Sequence, residues 1–397
     1  MRLGLFIGGI YLEDVLYFDY AATAPLSPVV RARLHEWIDV FGNPSSLHRI
    51  GMEAEALLSK ARTTLREALG AEHGDIVFTG GGTEANNLAI FGSVELLHNR
   101  GSHVVTTAVE HPAVREAFGR LKERGFEVTY VRPNEQGDIE VDDVLSAVRP
   151  DTSFVSVMHV NNETGAIFPV EALADKLSAW PKVRFHVDGT QALGKIPVSL
   201  VRHNNIHLYT ASGHKVGGLK GVGALYVRQG VRLLPHVVGG GQEFGLRSGT
   251  ENVLGAISFA EAAREAVKDM EAARQNALTH RQWFVNRLNQ IGHWVVLSPR
   301  NPSPYIVYAA LPGLRGEIIV HALEEKGLYV SAGSACSSGK RSRQPSHVLT
   351  AMGVDKRVAE GAVRFSWHPR TSRADLERAL AVVEERTQWL LGMMGRR

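Results

Sequence analysis

Lys215 sits in Ser212-Gly213-His214-Lys215, just after a strand expected over 206–210 and before the glycine-rich stretch 217–223. A lysine at a strand end, beside glycines that let a ligand approach the backbone, is suited to form a Schiff base with an aldehyde cofactor. In isolation an ordinary surface lysine would look the same. Asp188, in His186-Val187-Asp188-Gly189-Thr190-Gln191, closes another expected strand and so points into the crevice where α/β proteins bind ligands. Paired with a pyridinium nitrogen, such a carboxylate keeps the ring protonated and electron-withdrawing. A structural, helix-capping aspartate is the plain alternative.

Three further turns offer polar groups to the same crevice. Gly80-Gly81-Gly82-Thr83-Glu84 opens a helix directly after a strand, aiming N–H groups and the positive end of the helix dipole at one spot, as a phosphate cradle requires. His111 follows a strand expected over 103–109, where its ring could stack on a flat cofactor and titrate near neutral pH. Asn161-Asn162-Glu163-Thr164-Gly165 presents amides past another strand, although Asn and Gly are also the usual turn residues.

Cys336 lies in a run of small and polar residues, 331–339, followed by Lys340, Arg341 and Arg343. Structural cysteines favour apolar runs, whereas a thiol in a polar segment near cations has a lowered pKa and is the reactive kind. The basic run reads as a solvated loop or as a docking element for a partner. Two other patterns are set aside. Gly189 to Lys195 approximates a P-loop, but Ile196 stands where Ser or Thr must meet magnesium. His203 and His207 have a four-residue spacing with no third ligand nearby, so no metal is expected.

The elements that must position these groups alternate. Strands are expected over 75–79, 103–109, 154–158, 183–187, 206–210 and 224–227, with helices beginning near Thr83 and Pro112. Several strands show little alternation, as expected where helices cover both faces of a mostly parallel central sheet in an α/β fold. A long helical stretch over 256–290 then reads as a hinge helix entering a smaller α+β domain. The expected division is an N-terminal arm (1–16), a large domain (17–255), and a hinge helix with a small C-terminal domain (256–397).

Composition narrows the classes further. The 397 residues carry 44 Lys and Arg against 41 Asp and Glu, a net charge of +3, which argues against disorder and against a strongly cationic nucleic-acid binder. A single cysteine excludes an internal disulfide framework and points to a reducing compartment, most simply the cytoplasm. No apolar run reaches the roughly 20 residues of a membrane helix. The apolar start, 1–12, meets Glu13 and Asp14 without a convincing cleavage site, so an arm is expected there instead of a signal peptide.

With these residues laid out, the chain resembles the class V aminotransferases of fold type I, and within them the cysteine desulfurases of the NifS/IscS type. The resemblance runs from 17 to about 390. It is carried by Tyr17-Phe18-Asp19-Tyr20-Ala21-Ala22-Thr23-Ala24-Pro25, Phe41-Gly42-Asn43-Pro44-Ser45-Ser46, Gly82-Thr83-Glu84-Ala85-Asn86-Asn87, Val109-Glu110-His111, the Asn161–Gly165 run, His186-Val187-Asp188, Ser212–Lys215, Arg247-Ser248-Gly249-Thr250, the cysteine segment and Val363-Arg364-Phe365-Ser366. It implies that Lys215 holds pyridoxal 5′-phosphate, that Asp188 pairs with the pyridine nitrogen and that Gln191 donates to the ring hydroxyl. Thr83, Ser212 and His214 would bind the phosphate. His111 would stack on the ring and move protons, Asn43, Asn162 and Arg364 would hold the substrate carboxylate, and Asn162 would also contact the cofactor. Thr250 would reach the phosphate of the neighbouring subunit in a homodimer. Cys336 would accept sulfur from L-cysteine as a persulfide and pass it to an acceptor or scaffold protein docking nearby.

Two positions depart from the family pattern. Leu219 replaces a proline common after the lysine's glycines, and Gly189 stands where alanine is frequent, so a looser cofactor turn is expected. The rival readings are a related lyase acting on selenocysteine, cysteine or cysteine sulfinate without needing Cys336, and a non-catalytic sulfur carrier using Cys336 alone. Persulfide formation on Cys336 separates the first, and a colourless purified protein would favour the second.

Overall fold

The computed structural model describes residues 5–7, 10–12, 15–203, 205–268, 270–333 and 346–394. Cys336, Lys340, Arg341 and Arg343 lie outside the described residues, as does much of the expected arm. A hairpin of β1 (Leu5–Ile7) and β2 (Ile10–Leu12) precedes the short β3 (Leu16–Tyr17). Seven strands follow, six at the expected runs and one, β6, where none was expected: β4 (Asp75–Thr79), β5 (His103–Thr107), β6 (Glu127–Val131), β7 (Thr152–Met158), β8 (Arg184–Asp188), β9 (Leu208–Ser212) and β10 (Gly223–Val227). They make one sheet in the order β4-β10-β9-β8-β7-β5-β6, parallel except that β10 runs against both of its neighbours.

Both faces of this sheet are covered, which explains the unalternating strands. Along β4, Ile76 and Phe78 face one core while Val77 faces another. Among the helices α1 (Pro28–Trp37), α2 (Arg49–Ala68), α3 (Gly82–Leu97), α4 (Pro112–Glu123), α5 (Val141–Ala147), α6 (Val170–Leu177) and α7 (Val253–Lys268), the first core takes Leu58 and Leu65 of α2 and Phe259 of α7. The second takes Leu88 of α3 and Phe118 of α4. The expected helical stretch over 256–290 is occupied by α7 and α8 (Met270–Ile291), on either side of residue 269.

A smaller antiparallel sheet follows, built from β11 (Val295–Val296), β12 (Ile306–Ala310), β14 (Ser331–Ala332) and β15 (Ala362–Ser366), with β13 (Leu328–Tyr329) pairing in parallel with β3. Phe284 of α8, Ile319 of α9 (Gly316–Glu324) and Leu376 of α12 (Arg373–Met394) pack on Val307 and Phe365 of that sheet. Leu16 and Phe18 belong to the same core, so the start of the chain is sewn into its end. The short helices α10 (His347–Ala351) and α11 (Lys356–Glu360) instead contribute Leu349 and Ala359 to the core of the large sheet. No helix among the described residues is long and apolar enough to cross a membrane.

Candidate active site

β4, β5, β7, β8 and β9 point the same way, so the turns after Thr79, Thr107, Met158, Asp188 and Ser212 open at one edge of the sheet. They surround a cavity of about 260 Å³. Eight residues singled out in the sequence line it: Thr83, His111, Asn162, Asp188, Gln191, Ser212, His214 and Lys215, joined by Asn86 and Thr190. Convergence at the carboxyl ends of parallel strands is what makes such distant turns one site.

Asp188 is buried and held by two donors. Its Oδ2 accepts from Asn86 Nδ2 at 2.8 Å and its Oδ1 from the Thr190 N–H at 3.0 Å, which fixes the carboxylate in one orientation. Lys215 Nζ donates to the carbonyls of Ala21 at 2.6 Å and Ala22 at 2.8 Å. The Ala21 carbonyl also accepts from Gln191 Nε2 at 2.8 Å. His111 caps α4: its Nδ1 accepts from the Ala113 N–H at 3.1 Å, so the neutral ring carries its proton on Nε2. Burial depresses the His111 pKa, which Asp188 opposes and Lys215 reinforces. His214 is lowered to about 4 by burial and by Lys215, Lys220 and Lys195, and its Nδ1 meets Thr23 Oγ1 at 3.1 Å. Both imidazoles are therefore uncharged at neutral pH.

The first turn of α3 supplies the anion-seeking end. Ser212 Oγ is buried with no hydrogen-bond partner. A Cβ on Gly82 would lie 3.2 Å from Thr190 Oγ1 and 3.4 Å from Ser212 Cβ, so glycine keeps the helix start open to a ligand. An unpartnered buried hydroxyl beside free helix N–H groups is the donor set an anion of phosphate size requires.

The remaining expected residues stand apart from the cavity lining. Arg364, on β15, is buried behind Asn162: one terminal nitrogen donates to the Asn162 carbonyl at 2.7 Å, the other pairs with Asp19 at 2.8 Å, and its Nε has no partner. Asn43 is exposed, its Oδ1 accepting from the Ser45 N–H at 2.9 Å, and Thr250 is exposed just before α7. Glu163, next to Asn162, is buried and accepts from Tyr308 Oη at 3.2 Å and from Ser346 Oγ, the residue that caps α10. Four contributors had no assigned role in the sequence. Asn86 lies three residues after Thr83, hence on the same helix face, a signal that was there to use. Thr190 sits two residues after Asp188, whose carboxylate it binds, a local signal as well, whereas Thr23 and Asp19 gave none, because their partners His214 and Arg364 lie on other elements.

The expected looseness at Gly189 and Leu219 is corrected by their neighbours. A Cβ on Gly189 would sit 1.9 Å from Tyr209 Cε1, so the Tyr209 ring already fills the space an alanine methyl would take, and its hydroxyl meets His159 Nδ1 at 3.0 Å. The Leu219 N–H, which proline would lack, donates to Ser258 Oγ of α7 at 3.2 Å. Each departure is matched by a local contact.

The chain is similar to known proteins over nearly its whole length. The family profile described as aminotransferase class-V matches residues 16–379. The cysteine desulfurase IscS of Dictyoglomus turgidum is 39% identical over 376 residues, covering 94% of each chain. A solved NifS-like protein superposes with a TM-score of 0.88 at 34% identity, covering 95% of this chain and 100% of that one. A structure described as SspA in complex with cysteine aligns at a TM-score of 0.77 and 34% identity, covering 90% and 99%. The match begins before Asp19 and ends within α12, so it spans both sheets and every turn that lines the cavity; the chain belongs to the class-V aminotransferase family, alongside the NifS/IscS cysteine desulfurases.

Proposed function

We propose that the protein is a pyridoxal 5′-phosphate-dependent cysteine desulfurase, which converts L-cysteine to L-alanine and carries the sulfur away as a persulfide on Cys336. The meeting of Lys215, Asp188 and His111 in one cavity, beside the unpartnered Ser212 hydroxyl, carries this reading. Its donor set fits the cofactor. Lys215 Nζ would hold the aldehyde carbon, Asp188 would face the ring nitrogen, Gln191 would donate to the ring hydroxyl, and Thr83, Ser212 and His214 would hold the phosphate. When bound, the cofactor withdraws electrons from the substrate Cα once its proton has left.

The chain's own groups do the rest. The fork of Arg364, together with Asn162 and Asn43, receives the substrate carboxylate, for which a guanidinium is shaped. His111 offers its Nε2–H as a hydrogen-bond donor from the cavity wall, and Asp188 supplies a fixed negative charge that stabilises a protonated ring. The C–S bond of L-cysteine breaks as its sulfur joins the Cys336 sulfur, and the carbon skeleton regains a proton. Cysteine plus thiol thus gives alanine plus persulfide, with atoms and electrons balanced. In this reading the enzyme is a cytoplasmic homodimer in which Thr250 serves the partner's phosphate, and a sulfur-acceptor protein docks near Cys336.

Borohydride reduction of the cofactor-loaded protein followed by peptide mapping should find the pyridoxyl group on Lys215. Labelling of Lys195 or Lys220 instead would overturn the assignment.

A further inference from the structure

Lys195 is a buried lysine with no carboxylate partner. Its only neighbouring acceptor among the described contacts is Gln191 Oε1, which it reaches from Nζ at 2.7 Å, one helical turn away in sequence. A methionine would fill such a place without the cost of burying an amine, so the amine needs a reason. The groups around it do not supply one by charge. Lys215 and Arg364 are cations and lower its pKa further, after burial, to about 7. Lys195 also lines a small cavity of about 100 Å³ with Glu265, His368 and Arg370. There Glu265 is engaged by Arg370 at 3.0 Å and by the Val29 N–H, while His368 is held neutral, at about 4, by burial.

The reason lies in the amide of Gln191. The two ends of a glutamine amide have nearly the same shape, and the partners decide which way round it sits. Lys195 Nζ donates to Oε1, and with that end of the amide taken Nε2 is turned towards the Lys215 side. One N–H of Nε2 goes to the Ala21 carbonyl, the same oxygen that receives Lys215 Nζ. The other remains for the cavity that Gln191 lines. We propose that Lys195 is a positioning residue that locks the Gln191 amide so that the cofactor cavity meets an N–H donor and never a carbonyl. This rests on the reading of the cavity as a pyridoxal phosphate site, and it assigns to Lys195 a role that the sequence left empty.

The test is the pH titration of the visible absorbance of the cofactor-loaded, substrate-free protein. A donor aimed at the ring oxygen stabilises the form with one more negative charge and lowers the titration midpoint. Lys195→Met should therefore raise that midpoint by about one pH unit, and Lys195→Arg, which donates at any accessible pH, should restore it. Should Lys195→Met fail to fold, Lys195→Gln carries the same test, because its amide can offer either end and lets Gln191 turn round. In a Gln191→Leu background the added Lys195→Met should shift nothing further, since the effect passes through the amide. A Lys195→Met midpoint equal to wild type, or an equal shift with and without Gln191, overturns the proposal while Lys215 stays labelled by borohydride. Wild-type protein that takes up no cofactor overturns this proposal together with the reading it rests on.

Discussion

Arg364 carries a shared burden, since the guanidinium proposed to grip the substrate carboxylate already bridges Asp19 and the Asn162 carbonyl. Losing a charge-assisted fork costs on the order of 2–4 kcal/mol, so Arg364→Ala should raise the Michaelis constant for L-cysteine roughly 30- to 1000-fold while bound-cofactor absorbance persists. An unchanged constant would show that another residue holds the carboxylate. Cys336→Ser should keep the cofactor and still bind L-cysteine but release no sulfide, and wild-type turnover in that variant would favour the lyase rival. Lys215 and Asp188 were legible because each ends an apolar run beside distinctive neighbours. Asp19 was not, because the residue that explains it lies 345 positions away and no local pattern joins the two.

Between elements, Gly189 and Leu219 show what a family comparison by residue type overlooks. Each was compared with the type usual at its own position, whereas what decides its effect is the facing strand or helix. Forcing a methyl against the Tyr209 ring should make Gly189→Ala cost about 1–3 kcal/mol, read as a lower denaturant midpoint with cofactor absent. Leu219→Pro should cost about 1 kcal/mol through the lost bond to Ser258. A Gly189→Ala midpoint equal to wild type would mean that Tyr209 moves aside freely. Six strands of the large sheet were visible as apolar runs; β6 (Glu127–Val131), at the sheet edge and only partly buried, was not, and β9 begins two residues later than expected. His207, just before it, uses its ring nitrogen to take the Phe185 N–H at 3.1 Å, so side chain and backbone share the pairing there. Such a substitution is invisible until the partner strand is known.

Across the whole molecule, buried ionisable groups pull the pH dependence of stability in two directions. Burial lowers His159, His186, His214 and His368 to about 4 and His207 to about 3, from an ordinary 6.5. Below 6.5 the unfolded chain binds more protons than the folded one, so stability should fall as pH drops towards 4. Burial pushes Glu110 up to about 8 from an ordinary 4.5, and between those values the folded chain binds the extra proton, so this group weakens the fold as pH rises. Above about pH 7 Lys195, lowered to about 7 by burial, is protonated more in the unfolded chain and opposes Glu110. Urea midpoints should therefore climb from pH 4.5 to about 6.5 and then level off, while Glu110→Gln should let them keep rising to pH 8; an unchanged profile in that variant would contradict the Glu110 assignment. The packing of Leu16 and Phe18 into the core of the smaller sheet also sets a timetable for biosynthesis. The hydroxyl of Ser366 meets the Phe18 carbonyl across 348 residues of chain. At about 5–20 residues per second a ribosome takes roughly 20 to 70 s to deliver the second partner after the first. During that interval the large sheet can assemble while two apolar side chains near the start wait uncovered, and that is the window in which a nascent-chain chaperone would find them.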